Sequence, residues 1–244
     1  MLTFRDHTIQ FSESPLIQQL NLEINQGEIL CILGRNGVGK SSLLNSVFTQ
    51  NKTIFFQSKS LFEYSKKDLA KTISFLKPGS RPAFNISISD YLELGRIPYQ
   101  DILNLKQDKV DLEPYLSLLG VEKFKNKSTE FLSDGEFQKV QILRALVQDT
   151  PIILLDEPTS FLDFPSKIEL YKHLQFIAKK FNKTIIFTTH DIDLAWKFAH
   201  KTLFLKGNGS FSIESSKTIT KDVLNAYFET DFFYFDDVNN YVIK

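Results

Sequence analysis

Cysteine is almost absent: Cys31 is the only one in 244 residues. No disulfide framework can form, which fits a reducing compartment, and its place in an apolar run reads as a small core residue. Neither sign of charge is in excess, since 29 basic and 29 acidic residues balance to a formal net charge of zero. That balance argues against wholesale binding to nucleic acid. No apolar run approaches the ~18 residues that span a bilayer, and the start of the chain lacks the apolar region of a signal peptide. The expectation is a soluble cytosolic chain. No internal repeat, low-complexity tract or interdomain linker is visible. A chain of this length can bury a full core, most simply as one α/β domain with an inserted or appended subdomain.

Glycine is also sparse, and three of the ten glycines fall within six residues, in Gly34-Arg35-Asn36-Gly37-Val38-Gly39-Lys40-Ser41. The stretch fits G-x-x-x-x-G-K-[ST] without a mismatch, between an apolar run at 28–33 and a helical pattern over 42–48. Glycines let the backbone curl until successive amide N–H groups, with those of Asn36, Gly37, Gly39 and Ser42 among them, point inward as an anion nest. Lys40 then reaches the β- and γ-phosphates of a nucleotide, and the Ser41 hydroxyl is placed to ligate Mg²⁺.

Ahead of the loop the pattern is strand-like at 3–4, 8–11 and 20–24, with a turn at Asn25-Gln26-Gly27. Phe11 sits in the second of these pieces. It is open to two readings: a ring that stacks on adenine, or a core or edge aromatic. Behind the loop come a strand at 53–56, a capping-box helix over 65–71 and a strand at 73–76. The loop Lys77-Pro78-Gly79-Ser80-Arg81-Pro82 follows. Residues 89–131 read as mostly helical, including a face formed by Leu112, Tyr115, Leu116 and Leu119.

Ser133 and Glu136 have capping-box spacing at the start of a helix through Val147. Ile152-Ile153-Leu154-Leu155 then makes a buried strand that carries Asp156 and Glu157 at its C-terminal tip, where open α/β sheets place ligands. Alternation sends these two acids to opposite faces, so they cannot share a task. A metal ligand at Asp156 and a water-activating base at Glu157 is the natural division. Ser160-Phe161-Leu162-Asp163 precedes a helix over 166–181, and a strand at 183–188 leads to His190. This histidine is either a hydrogen-bonded bystander or a group facing a γ-phosphate. A helix is expected over 191–199, a strand at 201–206, the turn Gly207-Asn208-Gly209 and a helix over 221–228.

Taken in order, 34–41, 132–136, 152–157, 160–163 and His190 resemble the nucleotide-binding subunit of ABC transporters over roughly residues 1–210. In that family these are Walker A, the LSGGQ signature, Walker B, the D-loop and the switch histidine. The resemblance implies an α/β fold: a P-loop NTPase (RecA-like) core with an N-terminal antiparallel β subdomain and an inserted α-helical subdomain. The expected division is a single ATPase domain over 1–244, with the β entry and core in 1–82 and 137–244 and the helical subdomain at about 83–136. The stretch ending Gly95-Arg96-Ile97-Pro98-Tyr99 looks like the GR-x-PY segment of ATPases in the metal-chelate importer group, which takes up ferric siderophores, haem and cobalamin.

What the resemblance implies for function is ATP with Mg²⁺ as cofactors, and two ATPs sandwiched between two copies. Gly34 to Ser42 of one copy would face Ser133, Gly135 and Glu136 of the other, with Asp163 in the D-loop. Phe11 falls where the adenine-stacking aromatic is expected. Partners would be membrane permease subunits, a second ATPase subunit (the same chain or a paralogue) and, indirectly, a substrate-binding protein. The chain would then be peripheral on the inner face of the membrane.

Two departures stand out. The Q-loop glutamine position falls on Pro78, whose side chain neither donates nor accepts, so that role is absent or passes to Ser80 or a backbone carbonyl. The signature reads LSDGE, which sets Asp134 and Glu136 near a docking phosphate unless they point away. Two alternatives stay open: a degenerate ATP-binding switch that only dimerises, and an ABC ATPase of another transporter, such as a lipid or protein exporter.

Overall fold

A computed structural model describes residues 1–11, 14–49, 52–77, 81–82, 85–100, 113–125, 127–191, 196–228, 233–234 and 242–243. Pro78, Ser80, Leu112 and, in the aromatic stretch at 232–235, Phe232 and Phe235 lie outside them, as do residues 192–195 of the helix expected over 191–199.

Two sheets organise the chain. A four-stranded antiparallel sheet, in the order β2-β1-β4-β5, is made of β1 (Leu2–Phe11), β2 (Ser14–Ile24), β4 (Ile54–Phe56) and β5 (Lys59–Ser60). A six-stranded sheet in the order β10-β9-β3-β8-β7-β6 is made of β3 (Ile29–Gly34), β6 (Ile73–Leu76), β7 (Ile152–Leu155), β8 (Thr184–Thr189), β9 (Lys201–Gly207) and β10 (Ser210–Ser215). All its neighbouring strands run parallel except the β9–β10 hairpin.

The three strand pieces expected before the loop are two long strands. Register shifts after Phe4, His7 and Ile9, with Asp6 and Gln19 in the left-handed region at φ 47° and 53°, interrupt the period-two pattern that a sequence reading follows.

The parallel strands are apolar on both faces because both are covered. In β3, Ile29, Cys31 and Leu33 face one core with Ile153 and Leu155 of β7. Leu30 and Ile32 face the other, with Leu2, Phe4, Leu20 and Leu22 of the antiparallel sheet and Leu43, Leu44 and Val47 around α1 (Lys40–Ser46). Each fully buried Leu or Ile of this kind contributes roughly 1.5–3 kcal/mol. The first core takes in α5 (Asp134–Val147) and α6 (Phe164–Phe181) as well. α2 (Lys66–Thr72) is capped by Ser65, whose hydroxyl oxygen accepts from Asp68 N–H.

Between β6 and β7 come α3 (Ile88–Glu93), a 3-10 segment Leu94–Tyr99 and α4 (Glu113–Leu118). Ile88, Tyr91, Leu92, Leu116 and Leu119 join the core formed around α5. The GR-x-PY residues hold the C-terminal end of that helix. A Cβ on Gly95 would lie 2.6 Å from the Arg144 carbonyl oxygen, so only glycine permits the approach. Arg96 Nη1 donates to the Val147 carbonyl at 3.1 Å, its guanidinium carbon lies 4.1 Å from the Tyr99 ring centroid, and Tyr99 Oη donates to the Asp149 carbonyl at 3.4 Å. A cation on the last-turn carbonyls is a favourable helix stop. It fixes where β7, and the acids after it, begin.

Candidate functional site

The phosphate loop leaves β3 and enters α1 through Gly39, at φ 110°, with Leu16 of β2 lying 3.3 Å from where a Cβ would sit. A larger residue would be strained there whatever the space. Arg35, Asn36 and Gly37 are exposed, and so is Ser41, while Ser42 is half-buried. Lys40 is only 5% exposed. Its Nζ donates to the carbonyl oxygens of Gly34 at 2.9 Å and Arg35 at 3.1 Å, and lies 3.7 Å from Glu157 Oε1. Burial pulls the ammonium below its ordinary pKa, while the Glu157 and Asp156 carboxylates pull it back up.

Asp156 and Glu157 project from the tip of β7, one strand removed from β3 across β8. Asp156 is 3% exposed. Its backbone N–H donates to the Leu76 carbonyl at 2.9 Å, and its Oδ1 accepts from the Thr188 hydroxyl at 2.6 Å. The same Thr188 oxygen accepts from Glu157 N–H at 2.9 Å, so one hydroxyl in β8 orients both acids. Glu157 has φ 46°, uncommon for a residue with a Cβ and a form of strain that recurs where geometry is held for function. Its Oε2 accepts from the Ser160 hydroxyl at 3.2 Å and lies 3.7 Å from His190 Nδ1. His190 itself is exposed at the end of β8.

Lys40, Glu157 and His190 therefore come together around one carboxylate. Thr188 and Ser160 are additions that sequence reasoning missed. The available signal was a hydroxyl residue in a strand buried at all six positions, since a buried polar group must find partners.

Ser133 caps α5 with the expected reciprocal geometry. Its backbone N–H and hydroxyl both donate to Glu136 Oε2 at 2.9 Å, and Glu136 N–H donates back to its Oγ at 3.3 Å. The Ser133 backbone N–H holds the Glu136 carboxyl below its usual pKa. Glu136 is thus folded back, and Asp134 is paired with Arg81 at 2.8 Å. Gly135 packs against Phe161 and Leu162 of the segment before α6. Asp163 caps α6, accepting from Ser166 N–H at 3.1 Å, and Ser166 lowers its pKa through both side chain and backbone.

Among the described residues, no hydrogen bond or ion pair joins Ser133, Gly135 or Glu136 to the phosphate loop of the same chain. Phe11 is likewise outside the cluster. Its ring is 71% exposed at the tip of the β1–β2 hairpin, opposite Ser14, which precedes by two residues the Leu16 that lies against Gly39, so it is not a core aromatic.

Mg²⁺ is tested by the donors present. Asp156 and Ser41 offer hard oxygens, and no cluster of three or more His, Cys, Asp or Glu side chains exists among the described residues. That suits an ion held by one carboxylate, one hydroxyl, water and nucleotide phosphates rather than by a protein cage.

The family model described as ABC transporter matches residues 17–160. An uncharacterised ABC transporter ATP-binding protein of Methanocaldococcus jannaschii is 34% identical over 254 residues, covering 98% of this chain and 88% of that one. The iron(3+)-hydroxamate import ATP-binding protein of Bacillus subtilis (strain 168) is 29% identical over 232 residues, covering 91% of this chain and 86% of that one. A solved structure described as an inward-facing conformation of a metal-chelate type ABC transporter superposes with a TM-score of 0.83 at 25% identity, over 100% of this chain and 97% of that one.

Proposed function

The chain belongs to the ABC transporter family as an ATP-binding, ATP-hydrolysing subunit, and from that premise we propose that it energises a membrane importer of metal chelates: ferric siderophore, haem or cobalamin. The observation that carries the ATPase mechanism is Glu157, whose carboxylate lies 3.7 Å from the Lys40 ammonium on one side and 3.7 Å from His190 on the other. The cargo class is supported by the GR-x-PY segment at 95–99 and by the iron-hydroxamate and metal-chelate relatives.

Phosphoryl transfer to water needs positioning and charge neutralisation more than covalent chemistry. In this structure Lys40 is satisfied by the loop's own carbonyls and by Glu157. ATP entering the loop offers its phosphate oxygens instead, so the ammonium swings to them and releases the Glu157 carboxylate. Glu157, oriented by Ser160, then accepts the proton of the attacking water. His190 turns from Glu157 to the γ-phosphate. Asp156 and Ser41 would hold Mg²⁺, which when bound neutralises charge on the β- and γ-phosphates.

A second subunit completes each site. Its Ser133 hydroxyl, Gly135 and the first amides of α5 approach the γ-phosphate in trans, and Asp163 lies beside that seam. Phe11, exposed on the hairpin that borders the loop, stacks on adenine. The helical segment, about 83–136, presents the groove for the permease and places this chain on the inner face of the membrane. Among the described residues no helix is long and apolar enough to cross a bilayer.

The test compares wild type with Glu157→Gln in Mg²⁺-ATP, reading steady-state hydrolysis and dimerisation by light scattering. The variant should lose hydrolysis by about 10²–10⁴-fold, the general-base contribution, and accumulate as an ATP-bound dimer. Turnover near that of the wild type would remove Glu157 from the role of base.

A further inference from the structure

Arg81 follows β6 by five residues, and its guanidinium spans the approach to the Ser133 cap. Nη1 donates to the Thr129 carbonyl at 2.9 Å, while Nη2 donates to the Leu132 carbonyl at 2.8 Å and to Asp134 Oδ1 at 2.8 Å. Its carbon lies 5.0 Å from the Phe137 ring centroid. These partners bracket Ser133 on both sides in sequence. Asp134 is the acid that makes this signature unusual, and nothing in the sequence pattern pointed to a cation for it.

The pair is open to solvent, with side chains 35% and 70% exposed for Arg81 and Asp134. An exposed pair of that kind adds little to folding stability. Its consequence changes once a nucleotide sandwich excludes water. A bare carboxylate at the first position of α5 would then repel a γ-phosphate in a poorly screened setting, while a neutralised one would not. The planar fork also does what a lysine cannot, since it engages two carbonyls and a carboxylate at once and stacks on an aromatic face.

We propose that Arg81 is a positioning residue that makes the LSDGE sequence competent for a phosphate: it neutralises Asp134 and holds the carbonyls of Thr129 and Leu132, so that Ser133 faces the partner's nucleotide. This rests on the reading that 133–136 acts in trans. The chain carries its own compensation for the acid at position 134, and it comes from the stretch where the usual Q-loop glutamine is replaced.

The test uses the Glu157→Gln background, in which ATP dimers accumulate. Dimerisation against ATP concentration is followed by sedimentation for Arg81, Arg81→Ala, Asp134→Gly and the double variant, and monomer affinity is read separately with a fluorescent ATP analogue. Arg81→Ala should raise the ATP needed for half-dimerisation by about tenfold or more, as unrelieved like charges at an interface do. Monomer affinity should stay unchanged, because Arg81 does not touch the phosphate loop. Adding Asp134→Gly to Arg81→Ala should restore dimerisation, a rescue that a purely structural role would not give. Arg81→Gln, which keeps donors for the carbonyls but no charge, should show the same defect and stands in if the alanine variant does not fold. Dimerisation indifferent to residue 81, or a defect that persists in the double variant, overturns the proposal alone. Failure of the Arg81-intact protein to dimerise with ATP overturns the trans reading and the proposal with it.

Discussion

A single hydroxyl links the two acids at the tip of β7. Thr188 Oγ1 donates to Asp156 at 2.6 Å and accepts from Glu157 N–H at 2.9 Å, so the proposed metal ligand and base are oriented by one atom. Partners of this kind typically carry 10–100-fold of metal affinity or activity. Thr188→Val keeps the shape and removes the oxygen. It should raise the Mg²⁺ concentration for half-maximal ATP hydrolysis by about 10–100-fold, read by titrating Mg²⁺ at fixed ATP. An unchanged Mg²⁺ dependence would mean that Asp156 needs no help from β8. Lys40, Ser41, Asp156, Glu157 and His190 were legible in the sequence because a motif specifies residue types at close spacing. Thr188 and Arg81 were not, because the acids they bind lie 31 to 53 residues away and only the folded sheet and loops bring them into reach.

At the level of elements, α1 is tied to the antiparallel sheet by a buried histidine. His7 of β1 is 0% exposed, with Nε2 2.9 Å from Ser46 Oγ and Nδ1 2.8 Å from Thr53 Oγ1. The Ser46 hydroxyl already donates to the Leu43 carbonyl, so it accepts from Nε2–H, and the Thr53 hydroxyl donates to Nδ1. Burial lowers the His7 pKa from 6.5 to about 4. The unfolded chain therefore binds a proton between pH 6.5 and 4 that the folded chain does not. Stability is fully present above pH 6.5, falls as pH drops through that window and levels off below about 4, a loss of up to about 3 kcal/mol. Denaturant unfolding of wild type and His7→Gln at several pH values checks this. The variant should be less stable at pH 7, and the difference should shrink toward pH 4; a constant difference would mean that burial leaves the His7 pKa where it lies in the unfolded chain. β3, α2, β6, α5 and β7 followed from local pattern. The β1 and β2 strands did not, because bulges at positions that pair only in the sheet break the alternation.

For the whole molecule, the proposed cargo is a property of an assembly rather than of this chain's pockets. Reconstituted with its permease in nanodiscs, the subunit should hydrolyse ATP faster when a binding protein loaded with ferric siderophore, haem or cobalamin is supplied. Lipid or unfolded peptide should leave the rate unchanged; stimulation by either of those alone would favour the exporter reading. The sequence by itself determined the nucleotide chemistry, the α/β class and the family, because a phosphate loop, a strand ending in two acids and a strand-end histidine each need particular residues at short, fixed spacing. Only the tertiary structure decided the order β10-β9-β3-β8-β7-β6, which sets β8 between the loop strand and the acid strand, and only it decided what becomes of LSDGE. The pattern offers Glu136 a return to Ser133 through the capping-box spacing but leaves Asp134 as a charge in front of a phosphate. In the fold Glu136 is bound to Ser133 and Asp134 to Arg81, because hydrogen bonds and ion pairs act over ångströms in space whatever the distance along the chain.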